Sequence, residues 1–305
     1  MIKKKIKIIT PYFGEKWPIW FDAYMLSVSK NENIHWYIPT DCTIPMKYPK
    51  NIQFKKTKLN TLFEEINNLF EIKLPMNIRK FCDLKPAYGE IFKEEIKAYD
   101  FWGFSDLDII WGNIEAFIDD EKLNKFDIIT SREKNIAGHF TLLRNTNKIN
   151  KLYQKIPNYK KLFEKENFQW FDEFHFNNYI KKNIKNIKIY WEKNLLNVEN
   201  NIDSHQEFHL DRWSWNFGEL NNIKSGKKIM YLHFINWKNS LKKSEVIFDE
   251  EPRSFIISYN KLHFKQHHSV QIVFNRIKNL IFGYWVRERI RSLKENNRII
   301  RKIGL

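Results

Sequence analysis

The chain has 305 residues with 52 Lys/Arg against 36 Asp/Glu, a formal net charge of +16, and is 43% hydrophobic and 16% aromatic, apolar enough to bury a core in one large domain, or in a domain with an appendage. Only nine Gly and nine Pro occur, and the glycine spacing accommodates neither G-x-G-x-x-G nor the P-loop G-x-x-x-x-G-K-[ST], which argues against nucleotide binding through a glycine cradle. Two cysteines, Cys42 and Cys82, are too few and too far apart for a disulfide framework or a thiolate metal site, and fit a reducing cytoplasm.

In chain order, residues 3–9 alternate Lys and Ile and end at Thr10-Pro11, the pattern of a first buried strand that empties into a loop. The basic start is followed by an apolar run too short for a signal sequence, and no stretch offers about 18 uninterrupted apolar residues for a membrane span. Trp17–Ser29 has helical spacing, and Asn33–Pro39 predicts a second strand, together the βαβ opening of an α/β sheet. A third strand is expected near Ile52–Phe54 and a helix around Leu62–Phe70. Pro86 suits the first turn of a helix that carries Ala87, Ile91 and Ile96 on its buried face. Strands are expected at Phe101–Phe104, Phe126–Ser131, Gly138–Arg144, Ile187–Trp191 and Ile229–Phe234, with helices at Lys148–Tyr159 and Phe168–Lys181. From Ser269 the apolar positions Val270, Val273, Phe274, Ile277, Ile281 and Trp285 fall at helical spacing among Lys and Arg, a basic amphipathic helix or helix pair.

The Phe101–Phe104 strand runs into Asp106-Leu107-Asp108. If the strand persists, side chains at i and i+2 point to one side, so both carboxylates can approach one hard cation. A divalent ion held there can clamp a diphosphate, and the C-terminal lip of a buried strand is where α/β sheets place ligands.

Together, Pro11-Tyr-Phe-Gly, Cys82-Asp-Leu-Lys-Pro-Ala-Tyr-Gly and Asp100-Phe-Trp-Gly-Phe-Ser-Asp-Leu-Asp resemble a bacterial family of capsule or lipopolysaccharide glycosyltransferases with the GT-A fold, over about residues 6–240. The resemblance implies a Rossmann-like mixed sheet with flanking helices as a catalytic domain over 1–240, and a basic helical extension over 241–305. It also implies Mn²⁺ or Mg²⁺ between Asp106 and Asp108 and the phosphates of a nucleotide sugar, with transfer of a hexose, UDP-linked by expectation, to a surface polysaccharide or lipid-linked oligosaccharide. Thr10, Pro11 and Tyr12 match the loop that touches the base. Asp41 matches an acid for base or ribose, and Lys80, Asp83 and Lys85 match residues that reach the diphosphate and sugar. Tyr231-Leu-His-Phe-Ile-Asn-Trp-Lys resembles a late strand and loop in which His233 completes the metal site and Lys238 contacts phosphate; imidazole beside two carboxylates suits Mn²⁺ better than Mg²⁺.

Glycosyl transfer needs either a base for an acceptor hydroxyl or a carboxylate that stabilises a separating sugar cation. By position Asp172 or Glu173 matches that acid, and Gly138-His139 resembles a strand edge on which a sugar ring lies, where a side chain would block close backbone approach. The pair His205-x-x-x-His209 has ligand-like spacing but lacks a matching carboxylate set.

Residues 261–305 hold 11 Lys/Arg against two Glu, a net of +9, and the tail fits docking on anionic lipid, at about 1 kcal/mol per basic residue near the surface. The expected location is therefore the inner face of the cytoplasmic membrane; a helix packed back on the catalytic domain is the alternative. Two rival functions compete with the enzyme: a basic nucleic-acid-binding protein and a non-catalytic scaffold on a membrane surface. The acid pair argues against both, and no RNA-binding signature accompanies the basic cluster.

Overall fold

The structure, a computed structural model, describes residues 3–182, 185, 187–191, 208–235 and 237–281. Of the eight predicted strands, the one expected at Ile229–Phe234 is split in two and lies outside the main sheet, and the other seven assemble into that seven-stranded sheet. In chain order its strands are β1 (Ile6–Ile9), β2 (Ile34–Thr40), β3 (Ile52–Lys56), β4 (Phe101–Ser105), β6 (Ile128–Thr130), β7 (Phe140–Arg144) and β8 (Ile189–Trp191), with β5 (Ile109–Trp111) outside it. The spatial order is β3-β2-β1-β4-β7-β6-β8. All pairings are parallel except those of β7, which runs antiparallel to both β4 and β6. The chain is thus a mixed α/β fold, as expected.

Alternation along β4 explains its burial on both faces. Trp102 and Phe104 join the core formed with the helix α2 (Leu59–Phe70), while Phe101 joins the opposite core formed with the helix α1 (Phe21–Ser29). Gly103 is required between them, because a Cβ there would lie 2.6 Å from Leu142 Cδ2 and 2.7 Å from the Thr141 carbonyl oxygen on β7. Helix α1 is apolar all round, the pattern of a helix covered on two sides. It gives Phe21, Tyr24, Met25 and Val28 to the sheet-facing core, and Ala23 and Leu26 to a third core built mainly from the last third of the described chain.

That third core belongs to a second sheet. Its strands are β9 (Trp213–Asn216), β10 (Glu219–Asn222), β11 (Lys228–Ile229), β13 (Lys243–Ser244), β14 (Ser254–Ser258) and β15 (Lys261–His263), in the order β11-β10-β9-β14-β15-β13. Residues 213–229 and 243–263 therefore share one sheet, so the division expected at residue 240 runs through it. The expected helical extension over 241–305 begins instead with three short strands, which two- to five-residue segments with little alternation do not announce. The helix Ser269–Ile281 follows as predicted; Trp285 and the rest of the basic tail lie outside the described residues, as does His205. Among the described residues no helix is long and apolar enough to cross a membrane.

Three expected helices are broken. Lys148–Tyr159 divides into the short turns Asn147–Asn150 and Leu152–Lys155, with a further helix starting only at Tyr159. Residues 80–96 fold as successive short turns, Lys80–Leu84, Lys85–Ala87, Tyr88–Ile91 and Lys93–Ile96, because Pro86 supplies no backbone N–H to a continuous helix. Phe168–Lys181 divides into a wide π-type turn, Phe171–Phe176, and an α-helix, Asn177–Lys182; such turns recur at functional sites. Trp170, just before it, has φ +50°, a left-handed conformation uncommon for a bulky residue.

Candidate metal centre

Strands β1, β2 and β4 are parallel, so their C-terminal ends open on one edge of the sheet. At that edge β4 hands over to Asp106, whose N–H donates to the His139 carbonyl oxygen at the start of β7 (3.1 Å). The chain then re-enters extended structure as β5, which pairs antiparallel with β12 (Tyr231–His233) in the register His233 opposite Ile109. A further bond from Phe234 N to the Asp108 carbonyl oxygen (3.1 Å) continues the pairing one step. Backbone register alone thus delivers His233 to the acid pair from about 125 residues away in the sequence. Its Nε2 lies 3.4 Å from Asp108 Oδ1 and 3.7 Å from Asp106 Oδ2, and ligand atoms of all three residues fall within 4.8 Å of one another.

The two carboxylates are held alike. Lys85 Nζ takes the other oxygen of Asp106, Oδ1, at 2.6 Å and also donates to the Gly138 carbonyl oxygen at 2.7 Å. Lys238 Nζ takes the other oxygen of Asp108, Oδ2, at 2.8 Å. Each acid therefore turns one oxygen to a lysine and its second oxygen toward His233. Burial opposes ionisation of Asp108, but His233 and Lys238 outweigh it and hold the carboxyl well below the ordinary range. Burial likewise works against the Lys85 ammonium, and Asp106 overcomes it and drives the amine well above its usual value. Both ring nitrogens of His233 are buried without a hydrogen-bond partner, which is costly for an imidazole and is relieved by a cation on its lone pair. Two carboxylates and one imidazole form a suitable donor set for Mn²⁺, so the residues fit a divalent ion.

The predicted acids Asp172 and Glu173 stand on the π-type turn across from this cluster. Glu173 Oε1 accepts from the Gly138 N–H and from Arg132 Nη1, both at 2.9 Å. Asp172 is buried, and burial pushes its carboxyl up to about 7, with Lys85 pulling it back and Glu173 raising it further. Gly138 leaves the room these acids need, since a Cβ would meet Asp172 Oδ2 at 2.7 Å and Glu173 Oε1 at 2.9 Å. His139 is buried and lies flat on His233, ring centroids 4.5 Å apart, with Ser131 Oγ 3.3 Å from its Nε2. Arg132 and Ser131 carry no sequence signal that marks them; only the packing of the loop after β6 against the π-type turn does.

The remaining predicted residues divide into two groups. Thr10, Pro11, Tyr12 and Asp41 lie on the loops after β1 and β2, on the same sheet edge as the acids. Thr10 Oγ1 pairs with Ser105 Oγ at 2.8 Å, Tyr12 stacks on Trp17, and Asp41 Oδ1 accepts the Gly14 N–H at 2.8 Å. Lys80 and Asp83, by contrast, are wholly buried and bridged at 2.6 Å. The Asp83 carboxylate accepts the N–H groups of Gln169 and Phe171, at 3.1 Å each, on either side of the strained Trp170. Their geometry is that of a clamp on the loop that leads to Asp172.

The sequence pattern of DUF6625, described as a family of unknown function, matches residues 8–275. No curated protein matches the sequence. Similar solved structures include galactosyltransferase LgtC in complex with donor and acceptor sugar analogues, at 12% identity over 61% of this chain and 72% of that one, TM-score 0.33. GlyE, a glycosyltransferase of Streptococcus pneumoniae TIGR4, is similar at 13% identity over 64% and 46% of the two chains, TM-score 0.34. A glycosyltransferase involved in glycosylation of the major capsid of PBCV-1 is similar at 10% identity over 63% and 85%, TM-score 0.38.

Proposed function

We propose that this chain, which belongs to the DUF6625 family, is a metal-dependent glycosyltransferase that moves a hexose from a nucleoside-diphosphate sugar, UDP-linked by preference, to a surface polysaccharide or lipid-linked oligosaccharide. One observation carries the reading: Asp106, Asp108 and His233 converge at the C-terminal edge of β4, with Lys85 and Lys238 bound to the outer oxygens of the acids. Such a cluster combines hard cation ligands with two ammonium groups, the chemistry that a diphosphate requires.

When bound, the divalent ion would neutralise phosphate charge and stabilise the diphosphate as it leaves. Lys85 and Lys238 exchange their carboxylate contacts for phosphate oxygens, which costs little because each ammonium keeps an anionic partner. Thr10, Pro11, Tyr12 and Asp41 lie where the nucleoside would extend along the edge. Gly138 and His139 floor the sugar site, and Glu173 fixes Gly138 through its N–H. Asp172, poised near neutrality, takes or holds a proton beside the reacting sugar, as a general base or acid requires. The energetic case for an enzyme over a nucleic-acid binder is that this edge concentrates buried carboxylates, which repel a polyphosphate backbone unless a cation intervenes.

The helix Ser269–Ile281 supports a membrane surface as the place of work. Its apolar side points outward, with Val270 80%, Phe274 70% and Ile281 62% exposed, while Asn275 is buried at 6%. Polar side chains tie it down instead: Asn275 Oδ1 accepts the Leu210 N–H, and Asn279 Nδ2 donates to the Phe208 carbonyl oxygen. No Asp or Glu occurs between Pro252 and Val286, so the exposed apolar stripe sits in a basic surround suited to anionic headgroups. A screen of nucleotide sugars with Mn²⁺ tests the enzymatic claim. One or more donors should be hydrolysed slowly by the wild type and at least 100-fold more slowly by Asp106→Asn/Asp108→Asn; equal rates in both would contradict it.

A further inference from the structure

A second convergent cluster lies on the other sheet, independent of the glycosyltransferase reading. Asp211 precedes β9, His263 ends β15, and His267 stands two residues before the helix Ser269–Ile281. Ligand atoms of the three fall within 4.8 Å of one another. Asp211 Oδ1 is 3.2 Å from His263 Nε2 and 2.7 Å from His267 Nδ1, and Asp211 Oδ2 accepts the His267 N–H at 2.6 Å.

The hydrogen bonds of the cluster fix which ring nitrogens face inward. His263 Nδ1 faces the Lys265 carbonyl oxygen at 2.6 Å; a carbonyl only accepts, so Nδ1 carries the hydrogen and Nε2 presents a lone pair. That lone pair confronts an anionic oxygen of Asp211, with both side chains almost fully buried. Ser258 Oγ is 2.9 Å from His263 Nε2 and 3.0 Å from Asp211 Oδ1. Its single hydrogen can satisfy one of the two, while its oxygen accepts the Asp211 N–H at 2.8 Å. With that hydrogen directed to His263 Nε2, Asp211 Oδ1 accepts from His267 Nδ1 and Oδ2 from the His267 N–H, so three ligand atoms converge on a space held together by hydrogens that a cation can displace. An Nδ1–H held by a backbone carbonyl is also the arrangement that orients ligand histidines toward a metal. His267 borders a groove of about 280 Å³ lined in part by Tyr259, Gln271, Phe274 and Asn275, which leaves a route for the ion and for a water to complete its shell.

We infer that Asp211, His263 and His267 form a second divalent-cation site, selective for a borderline ion such as Zn²⁺, that clasps the start of the helix Ser269–Ile281 to the second sheet. Two imidazoles with one carboxylate suit Zn²⁺, unlike the oxygen-richer set at Asp106 and Asp108. The ion replaces the hydrogen now shared by His267 Nδ1 and Asp211; a hydrogen is taken up at Nε2 of the same ring as that one leaves, so the imidazole stays neutral, and Ser258 turns its hydrogen from His263 to Asp211. The site fixes the helix that carries the outward apolar stripe, so its work is structural.

The test uses the full chain with Asp106→Asn/Asp108→Asn, which removes the first cluster, titrated with Co²⁺ as a visible surrogate for Zn²⁺. One equivalent should bind with d–d absorption and be displaced by Zn²⁺, and His267→Gln, which keeps a donor to Asp211, should weaken binding at least tenfold with an unchanged circular dichroism spectrum. No binding up to millimolar Co²⁺, or the same affinity in His267→Gln, overturns the site. Should that background not fold, paramagnetic NMR of the unaltered chain with Co²⁺ replaces it. Hyperfine-shifted imidazole N–H signals from more than one histidine then support the site, and a signal from at most one overturns it. Neither result depends on sugar transfer, so failure here leaves the enzymatic reading untouched.

Discussion

Asp106 and Asp108 were legible because a buried strand that stops at two acids spaced i, i+2 is chemically unusual, and the late Tyr-Leu-His strand supplied the third member. What the local sequence withholds is partner choice. Lys80, Asp83 and Lys85 fall within six residues of one another, yet Lys85 reaches Asp106 while Lys80 and Asp83 bury each other; only the turn directions around Pro86 separate the two fates. A buried ion pair is strongly disrupted when one partner is removed. Asp83→Asn should therefore cost about 3–5 kcal/mol in urea unfolding, whereas a loss below about 1 kcal/mol would show the clamp to be dispensable. Asp172 gives a prediction with a definite sign. Its carboxyl titrates near 7 in the fold against an ordinary 3.8, so between these values the folded chain keeps a proton that the unfolded chain has released. Its contribution is fully present below about pH 4 and is lost as pH rises through 7, at ~1.4 kcal/mol for each pH unit climbed between the two values. Asp172→Asn should accordingly flatten the decline in stability between pH 5 and pH 8 and gain most over the wild type at pH 8. An unchanged slope in denaturant titrations at the two pH values would contradict the buried, proton-holding acid.

At the scale of elements, strands with continuous apolar character and helices with a clear stripe were readable: β1, β2, β4, β7 and α2 lie within a few residues of expectation. The second sheet was not, because its strands are short and several, such as Lys228–Ile229 and Lys243–Ser244, gain their identity from neighbours rather than from pattern. The π-type turn Phe171–Phe176 has a helical composition, and Asp83 holds the two N–H groups that flank Trp170 at its start. The final helix shows the opposite relation, with its amphipathic pattern readable from the sequence and its apolar side turned outward. Here the substitutions separate lipid contact from folding. Val273→Ser/Phe274→Ser/Ile277→Ser should abolish binding to phosphatidylglycerol vesicles in flotation assays while stability changes by no more than about 0.5 kcal/mol per site. Asn275→Ala should do the reverse and lower the melting temperature. A large loss of stability in the triple variant would mean that the stripe packs against protein.

Across the whole molecule, α1 lies at the centre of the architecture, since it is covered by the main sheet on one side and the second sheet on the other, and β5 with β12 stitches the two sheets together at the cluster of Asp106, Asp108 and His233. The site is thus assembled from chain segments that no local window contains, and the resemblance of separate motifs could indicate it while only topology could build it. Glycine scarcity fits the proposed function, in which phosphate is held by a cation and two lysines rather than by a cradle of backbone amides. The charge also divides along the sequence, with a net of +9 in residues 261–305; Arg276 and Lys278 stand on the helix that carries the outward apolar stripe. In the proposed function Asp106, Asp108 and His233 join a divalent ion to a nucleoside diphosphate, and thermal unfolding with Mn²⁺, UDP, or both reports that joint binding. Mn²⁺ and UDP together should raise the melting temperature by more than the sum of their separate shifts, and Asp106→Asn/Asp108→Asn should remove this synergy. Additive shifts in the wild type, or the same synergy in the variant, would contradict it.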